Sequence, residues 1–297
     1  MSLIFDIKRF AINDGPGIRT TLFMKGCPLR CVWCHNPEGQ TERPALLFTS
    51  KKCIACHSCV DACPQGGQDI PPKPSECLLC GACVDACPTL ALRMSGREWP
   101  MDELMTVVEK ERKVMEDSGG GVTICGGEPL MHPDYLMQLL VELGRRGFHR
   151  AVDTTLLSSA DIVRQVAANC ELFLVDLKHM DSDIHRRYTG VPNERILDNI
   201  RLIAELGCRY FIRIPFIEGI NAGEENIERS AAFLASLPRQ PEEVNLLPYH
   251  DIGKGKHERM GTRYNPDAIP MSTPSETVQQ RALAQFAAHG LAAKIGG

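Results

Sequence analysis

An α/β fold, built as an open (β/α)6 partial barrel of TIM-like type, is predicted by three observations. Strand-like and helix-like segments alternate along most of the chain. Six strand candidates, rather than eight, carry polar residues at or just beyond their carboxyl ends. A cysteine-rich stretch at about 50–95 interrupts the alternation and leaves roughly 250 residues, near the usual size for a β/α barrel. The expected division is residues 1–49 for the first part of the barrel, 50–95 for an insertion and 96–297 for the rest.

The first strand, Thr21–Lys25, leads into a loop holding three cysteines. After the insertion, Met101–Glu116 reads as an amphipathic helix before the strand Val122–Cys125. Pro133–Arg146 is a helix that starts at proline and stops at Gly147, ahead of the strand Ala151–Thr155. Ser159–Ala168 begins with a good cap, and the strand Leu172–Lys178 follows. Glu194–Leu206 ends at Gly207 before the strand Tyr210–Ile217. Glu224–Leu237 stops at Pro238 before the strand Val244–Tyr249, and a helix Pro274–His289 closes the chain. Strands separated by helices form a parallel sheet with right-handed crossovers.

The 297 residues are 43% hydrophobic and 24% charged, enough to build a sizeable core. A net charge of −4 without a long basic tract argues against nucleic acid or an anionic membrane as a partner. No apolar run reaches the roughly 18 residues of a membrane helix, and the start lacks a signal-peptide pattern. A cytoplasmic location is expected. Of fourteen cysteines, Cys125, Cys170 and Cys208 stand apart and read as packing residues. The others fall into three runs, and thiolates that hold iron need a reducing compartment.

Cys27, Cys31 and Cys34 form the first run, in Gly-Cys-Pro-Leu-Arg-Cys-Val-Trp-Cys. A 4Fe–4S cluster has four ligand positions, so three cysteines without a nearby fourth leave one iron open to substrate or cofactor. The competing reading is a zinc knuckle with His35 as fourth ligand. Residues 53–63 and 77–87 repeat one pattern, Cys-x-x-Cys-x-x-Cys-x-x-x-Cys-Pro, which is the bacterial ferredoxin run twice over. That resemblance implies crossed ligation: one cluster on Cys53, Cys56, Cys59 and Cys87, the other on Cys77, Cys80, Cys83 and Cys63. The module is then 2×(4Fe–4S) ferredoxin-like, with Pro71–Pro74 as an extended turn between the runs.

Other polar signatures gather at strand ends, the edge where barrels build active sites. Gly126-Gly127-Glu128-Pro129 follows the second strand, and Asp153 lies in the third. Asp176 and Lys178 end the fourth on one face, Arg213 lies in the fifth, and His250 follows the sixth.

With Trp33 before its third cysteine, the triad is similar to that of the radical S-adenosylmethionine (SAM) superfamily. Asp14-Gly-Pro-Gly-Ile-Arg19 narrows the resemblance to the activating enzymes of glycyl radical enzymes, over nearly the whole chain. In that family the loop lies where the partner's glycine loop enters; on backbone grounds Pro-Gly also suits a type II turn. The resemblance implies that Cys27, Cys31 and Cys34 bind a catalytic cluster and that SAM chelates its open iron. Trp33 and Asn36 would adjoin SAM, and Gly126, Gly127 and Glu128 would present backbone to its methionine part. Asp176 and Lys178 would contact ribose and carboxylate, and His250 the adenosine. Arg213 resembles an active-site arginine. Asp153 matches an aspartate that in some members helps hold a monovalent cation; many relatives read Asp-Thr-x-Gly where this chain has Leu156.

The implied reaction is reductive cleavage of SAM to a 5′-deoxyadenosyl radical, which abstracts hydrogen from one glycine of a large partner. Flavodoxin or ferredoxin would supply electrons, and the inserted clusters would relay them or form a docking platform. The insertion makes the chain look like activators of dehydratases, decarboxylases and carbon–sulfur or carbon–nitrogen lyases. Two alternatives are a radical SAM enzyme acting on a small molecule or peptide, and an iron–sulfur electron carrier.

Overall fold

The computed structural model describes residues 3–72 and 77–297. Lys73 and Pro74, in the turn expected between the two cysteine runs, lie outside the described residues. Ten strands are present among those described: β1 (Ile4–Ala11), β2 (Arg19–Met24), β3 (Ala45–Phe48), β4 (Leu92–Ser95), β5 (Gly121–Gly126), β6 (Arg150–Thr154), β7 (Leu172–Asp176), β8 (Tyr210–Phe216), β9 (Glu243–Pro248) and β10 (Ala293–Ile295). Eight form one sheet in the order β1-β2-β5-β6-β7-β8-β9-β10.

The six expected strands are β2 and β5 to β9, parallel neighbours in sequence order. Two edge strands were not anticipated. β1 pairs antiparallel with β2, and β10 adds in parallel beside β9. β10 has only three residues, too short to show a period, and β1 is exposed over much of its length. The expected helix Met101–Glu116 is two helices, Met101–Glu109 and Arg112–Ser118, broken where Glu111 leaves helical geometry. Glu111 is buried there against Arg9 of β1, a long-range ion pair invisible to local pattern. Helices Ser182–Thr189 and Gly253–Met260 also went unread, being almost wholly polar.

Continuous apolar runs explain the parallel strands, because helices on one face and side chains on the other leave no solvent side. Leu172–Val175 are all buried. Leu136, Leu139, Leu140 and Leu143 of the helix Pro133–Arg145 are fully buried, as are Ile200 and Ile203 of the helix Glu194–Glu205. Each such side chain contributes about 1.5–3 kcal/mol. β8 differs, alternating buried and half-buried, so Tyr210, Ile212, Ile214 and Phe216 face the helices while Arg213 and Pro215 face the concave side. No helix among the described residues is long and apolar enough to cross a membrane.

β3 and β4 form a separate antiparallel ribbon, with Leu46 opposite Met94 and Phe48 opposite Leu92. Both cysteine runs lie between these strands. Each run ends in a short helix, Ser58–Asp61 and Ala82–Asp85, and the two helices contact each other. Their backbones repeat closely: His57 and Gly81 both enter in the left-handed region, and Ala62 and Ala86 both sit at φ −78°, ψ −9°. Gly81 takes that conformation freely, while His57 carries the strain of a side chain there.

Candidate active site at the carboxyl edge of the sheet

One cavity of about 380 Å³ opens at the carboxyl ends of the parallel strands. Cys27, Cys31, Trp33, Cys34 and Asn36 line it from the loop after β2, and Gly126 and Gly127 from the loop after β5. Asp153, Asp176, Lys178, Arg213 and His250 complete it. The fold therefore gathers every proposed barrel site residue but one.

The exception is Glu128. Its carboxylate is fully buried and accepts hydrogen bonds from the Thr154 hydroxyl at 2.5 Å, the Thr155 hydroxyl at 2.5 Å, the Thr155 amide at 2.8 Å and the Leu130 amide at 3.1 Å. Its own amide donates to the Gly26 carbonyl at 2.7 Å. Glu128 thus ties the loop after β5 to β6 and to the triad loop. The two preceding glycines serve the same close packing. A Cβ on Gly127 would stand 2.0 Å from the Gly26 carbonyl oxygen, and Gly126 adopts φ +125°.

The triad loop hangs on a neighbouring element. The amides of Arg30 and Val32 donate to the carbonyls of Thr189 and Tyr188 at 2.7 and 3.0 Å. Burial raises the thiols of Cys27 and Cys34 above their ordinary range and pushes Cys31 up to about 12. Buried neutral thiols side by side invite a positive metal centre, which would hold them as thiolates.

Charge pairs line the floor. Lys178 Nζ donates to Asp176 Oδ2 at 2.8 Å. Burial would lower the Lys178 ammonium, but the adjoining Asp176 carboxylate outweighs it and holds it above its usual value. Arg213 Nη1 donates to Asp153 Oδ2 at 2.8 Å, and the Cys125 thiol reaches the same oxygen at 3.1 Å. Burial is the largest influence on Asp153 and lifts its carboxyl, with Arg213 opposing. His35 stacks on His250 with ring centroids 4.2 Å apart and donates Nε2–H to the His250 carbonyl at 3.0 Å. His35 thus uses its Nε2–H on the His250 backbone, and among the described residues it does not join the cysteines in a group that could hold a single metal ion, as a zinc knuckle would need.

Three features of the site were missed, two in the lining and one behind it. Cys125, read as packing, lines the cavity at the end of β5; its place immediately before Gly126 was the available signal. Cys170 and Cys208, by contrast, do pack against the core. Lys256 donates to Asn36 Oδ1 at 2.8 Å from a helix whose two glycines gave no helical signal. Asn13 lines the cavity just ahead of Asp14. Arg19, at the other end of that motif, is fully buried and bonds to Thr123, Pro16 and Val122. It fixes the loop from behind instead of reaching the cavity.

The ribbon-borne insertion contains two further cavities. One is lined by Cys53, Cys56, Cys59 and Cys87. The other is lined by Cys63, Cys77, Cys80 and Cys83. Among the described residues no three His, Cys, Asp or Glu side chains sit close enough to hold a single metal ion. Each of the two cavities is bordered by four cysteines.

The radical SAM superfamily model matches residues 21–232. The trans-4-hydroxy-L-proline dehydratase activating enzyme of Clostridioides difficile is 39% identical, over 99% of both chains. The chain belongs to the activating enzymes of glycyl radical enzymes, within the radical SAM superfamily. Other family members are as near. The choline trimethylamine-lyase activating enzyme of Oleidesulfovibrio alaskensis is 38% identical over 91% of this chain and 90% of its own length. The benzylsuccinate synthase activating enzyme of Thauera aromatica is 39% identical over 99% and 92%. A crystal structure of a domain of pyruvate-formate lyase-activating enzyme from Bacteroides vulgatus is 54% identical, with a TM-score of 0.53, covering 60% of this chain and 100% of that one. Membership implies a 4Fe–4S cluster and SAM. The three thiols, the glycine cradle and the paired charges of the cavity fit both.

Proposed function

We propose that this chain, in a reducing cytoplasm, activates one partner glycyl radical enzyme at a single backbone glycine. The observation carrying the reading is that three loop thiols and the pairs Asp176–Lys178 and Asp153–Arg213 converge on one cavity. When bound, the cluster and SAM together supply one-electron cleavage of SAM to a 5′-deoxyadenosyl radical that takes hydrogen from the glycine Cα. The chain's own residues hold and orient. Cys27, Cys31 and Cys34 supply three iron ligands, Gly126 and Gly127 offer backbone at close range, and Asp176 and Lys178 provide opposite charges for a zwitterionic cosubstrate. Trp33 and His250 wall the cavity, and Lys256 holds Asn36 in place. Hydrogen leaves the glycine as an atom, so no general base is needed.

Residues 50–95 form, in this reading, an inserted module with two further 4Fe–4S clusters, its crossed ligand sets supported by the two four-cysteine cavities. Flavodoxin or ferredoxin supplies the electrons. No monovalent cation is proposed at Asp153, because its Oδ2 already takes Arg213 and Cys125. Identities of 39%, 38% and 39% are level across activators of a dehydratase, a lyase and a synthase. What carries over is the step those activators share.

The test is anaerobic reconstitution with SAM and dithionite, with and without a glycyl radical enzyme encoded beside this gene. Deoxyadenosine together with a glycyl EPR doublet on the partner supports the reading. Deoxyadenosine without a radical on any such partner points to a small-molecule or peptide substrate. Neither product, from protein carrying a full complement of iron, returns the chain to electron transfer alone.

A further inference from the structure

The two cysteine runs superpose position for position at an offset of 24, Cys53 on Cys77 and Cys63 on Cys87. Their backbones share the left-handed entry and the same helix exit. Against that symmetry, the hydroxyl groups are distributed unevenly. Ser58 Oγ lies 3.4 Å from Cys56 Sγ, and the matching position beside Cys80 is Ala82. Thr89 Oγ1 lies 3.8 Å from Cys87 Sγ, and the matching position beside Cys63 is Gln65.

The crossed arrangement sends both hydroxyls to the same place. Cys56 and Cys87 come from different runs, yet they line one cavity with Cys53 and Cys59. Cys80 and Cys63 line the other, with no serine or threonine among its lining residues as far as the described residues go.

Hydrogen bonds to cluster sulfurs stabilise the reduced state, which carries one more negative charge, and so raise the reduction potential. We infer that Ser58 and Thr89 make the cluster on Cys53, Cys56, Cys59 and Cys87 the higher-potential member of the pair. The inference rests on the two-cluster reading of the insertion. At equilibrium the first electron given to the module by a one-electron protein donor rests on this cluster, reducing it by one unit with no bond made or broken. The cavities also sit at successive steps of the ribbon. The cavity with Cys80 touches the pair Leu46–Met94, and the one with Cys56 touches Phe48–Leu92, two residues further along the ribbon.

The test is redox-poised EPR on the full-length, anaerobically reconstituted chain, with iron quantified. Wild type should show two distinct auxiliary potentials. Ser58→Ala should move only the higher one down, by roughly tenfold in the reduced-to-oxidised ratio at fixed poise, 59 mV for a one-electron couple. Thr89→Gln should shift it the same way by less, as its contact is longer. Ala82→Ser, which adds a hydroxyl at the half-buried entry of the second helix, should move only the lower potential up. Should Ser58→Ala lose iron, Ala82→Ser alone decides the matter. Coincident wild-type potentials, or serine and alanine exchanges that leave both unmoved at full iron, overturn the inference. Iron short of three clusters overturns the two-cluster reading first, and the inference with it.

Discussion

The guanidinium of Arg213 in β8 reaches across β7 to hold Asp153 of β6 at 2.8 Å, with Asp176 of β7 beside it in register. Both partners are largely buried, their side chains 16% and 12% exposed. Removing one member of such a pair strands the other. Arg213→Ala is expected to destabilise the chain by about 3–5 kcal/mol, while the joint change Arg213→Met with Asp153→Leu recovers most of it. Urea unfolding of the metal-free chain at neutral pH measures both. A loss under about 1 kcal/mol for the single variant would show that the pair is solvated.

Replacing any one of Cys27, Cys31 and Cys34 with alanine is expected to abolish SAM cleavage and leave about eight irons on the inserted module. Iron analysis and deoxyadenosine assay check this together. Complete loss of iron, or retained cleavage, each contradicts the ligand assignment.

Asp176→Ala removes the partner of a buried ammonium as well as a charged contact for the cosubstrate. Charged hydrogen bonds contribute about 1.5–3 kcal/mol, so SAM affinity should fall roughly ten- to a hundredfold with iron unchanged. Equilibrium binding of SAM to the oxidised protein is the measurement. Unaltered affinity would confine Asp176 to positioning Lys178.

His185 gives the fold a pH dependence of defined sign. It is buried, bonded to the Val191 carbonyl at 2.6 Å, and held down to about 4, chiefly by burial. Its lowered folded-state value means that the unfolded chain binds the proton first as pH falls below about 6.5. Stability from this group is therefore complete above about pH 6.5 and is lost on acidification toward pH 4, up to about 3 kcal/mol. Its helix supplies Tyr188 and Thr189, on which the triad loop hangs, so that loop should loosen in the same window. Comparing urea unfolding of wild type and His185→Gln at pH 7 and pH 5 isolates the effect. Equal slopes for the two proteins would refute it.

Leu156 shows where local pattern stops being informative. It stands where the family resemblance leads one to expect glycine, is fully buried in the core, and still adopts φ +59°. The backbone keeps the left-handed turn and tolerates the strain, of order 1 kcal/mol, because the leucine packs. A sequence reader sees a missing glycine; the fold keeps the turn and fills the core. The same limit explains Cys125, whose apolar neighbours are those of a packing residue although the strand ends at the cavity. It explains Lys256 as well, which meets Asn36 only because a late helix folds back over the triad loop.

By itself the sequence determined the six parallel strands, the triad, the two repeated cysteine runs and most of the polar rim. Those features follow from short-range rules: periodic apolar runs, ligand spacing, and a strand pleat that puts Asp176 and Lys178 on one side. Only the tertiary structure decided which polar residues face the cavity and which brace it from behind. Glu128 and Arg19 carry charge in conspicuous motifs, yet both are fully buried and bonded to backbone and hydroxyl groups. Burial with complete hydrogen bonding is a property of neighbours brought together from distant parts of the chain, so no local spacing could announce it.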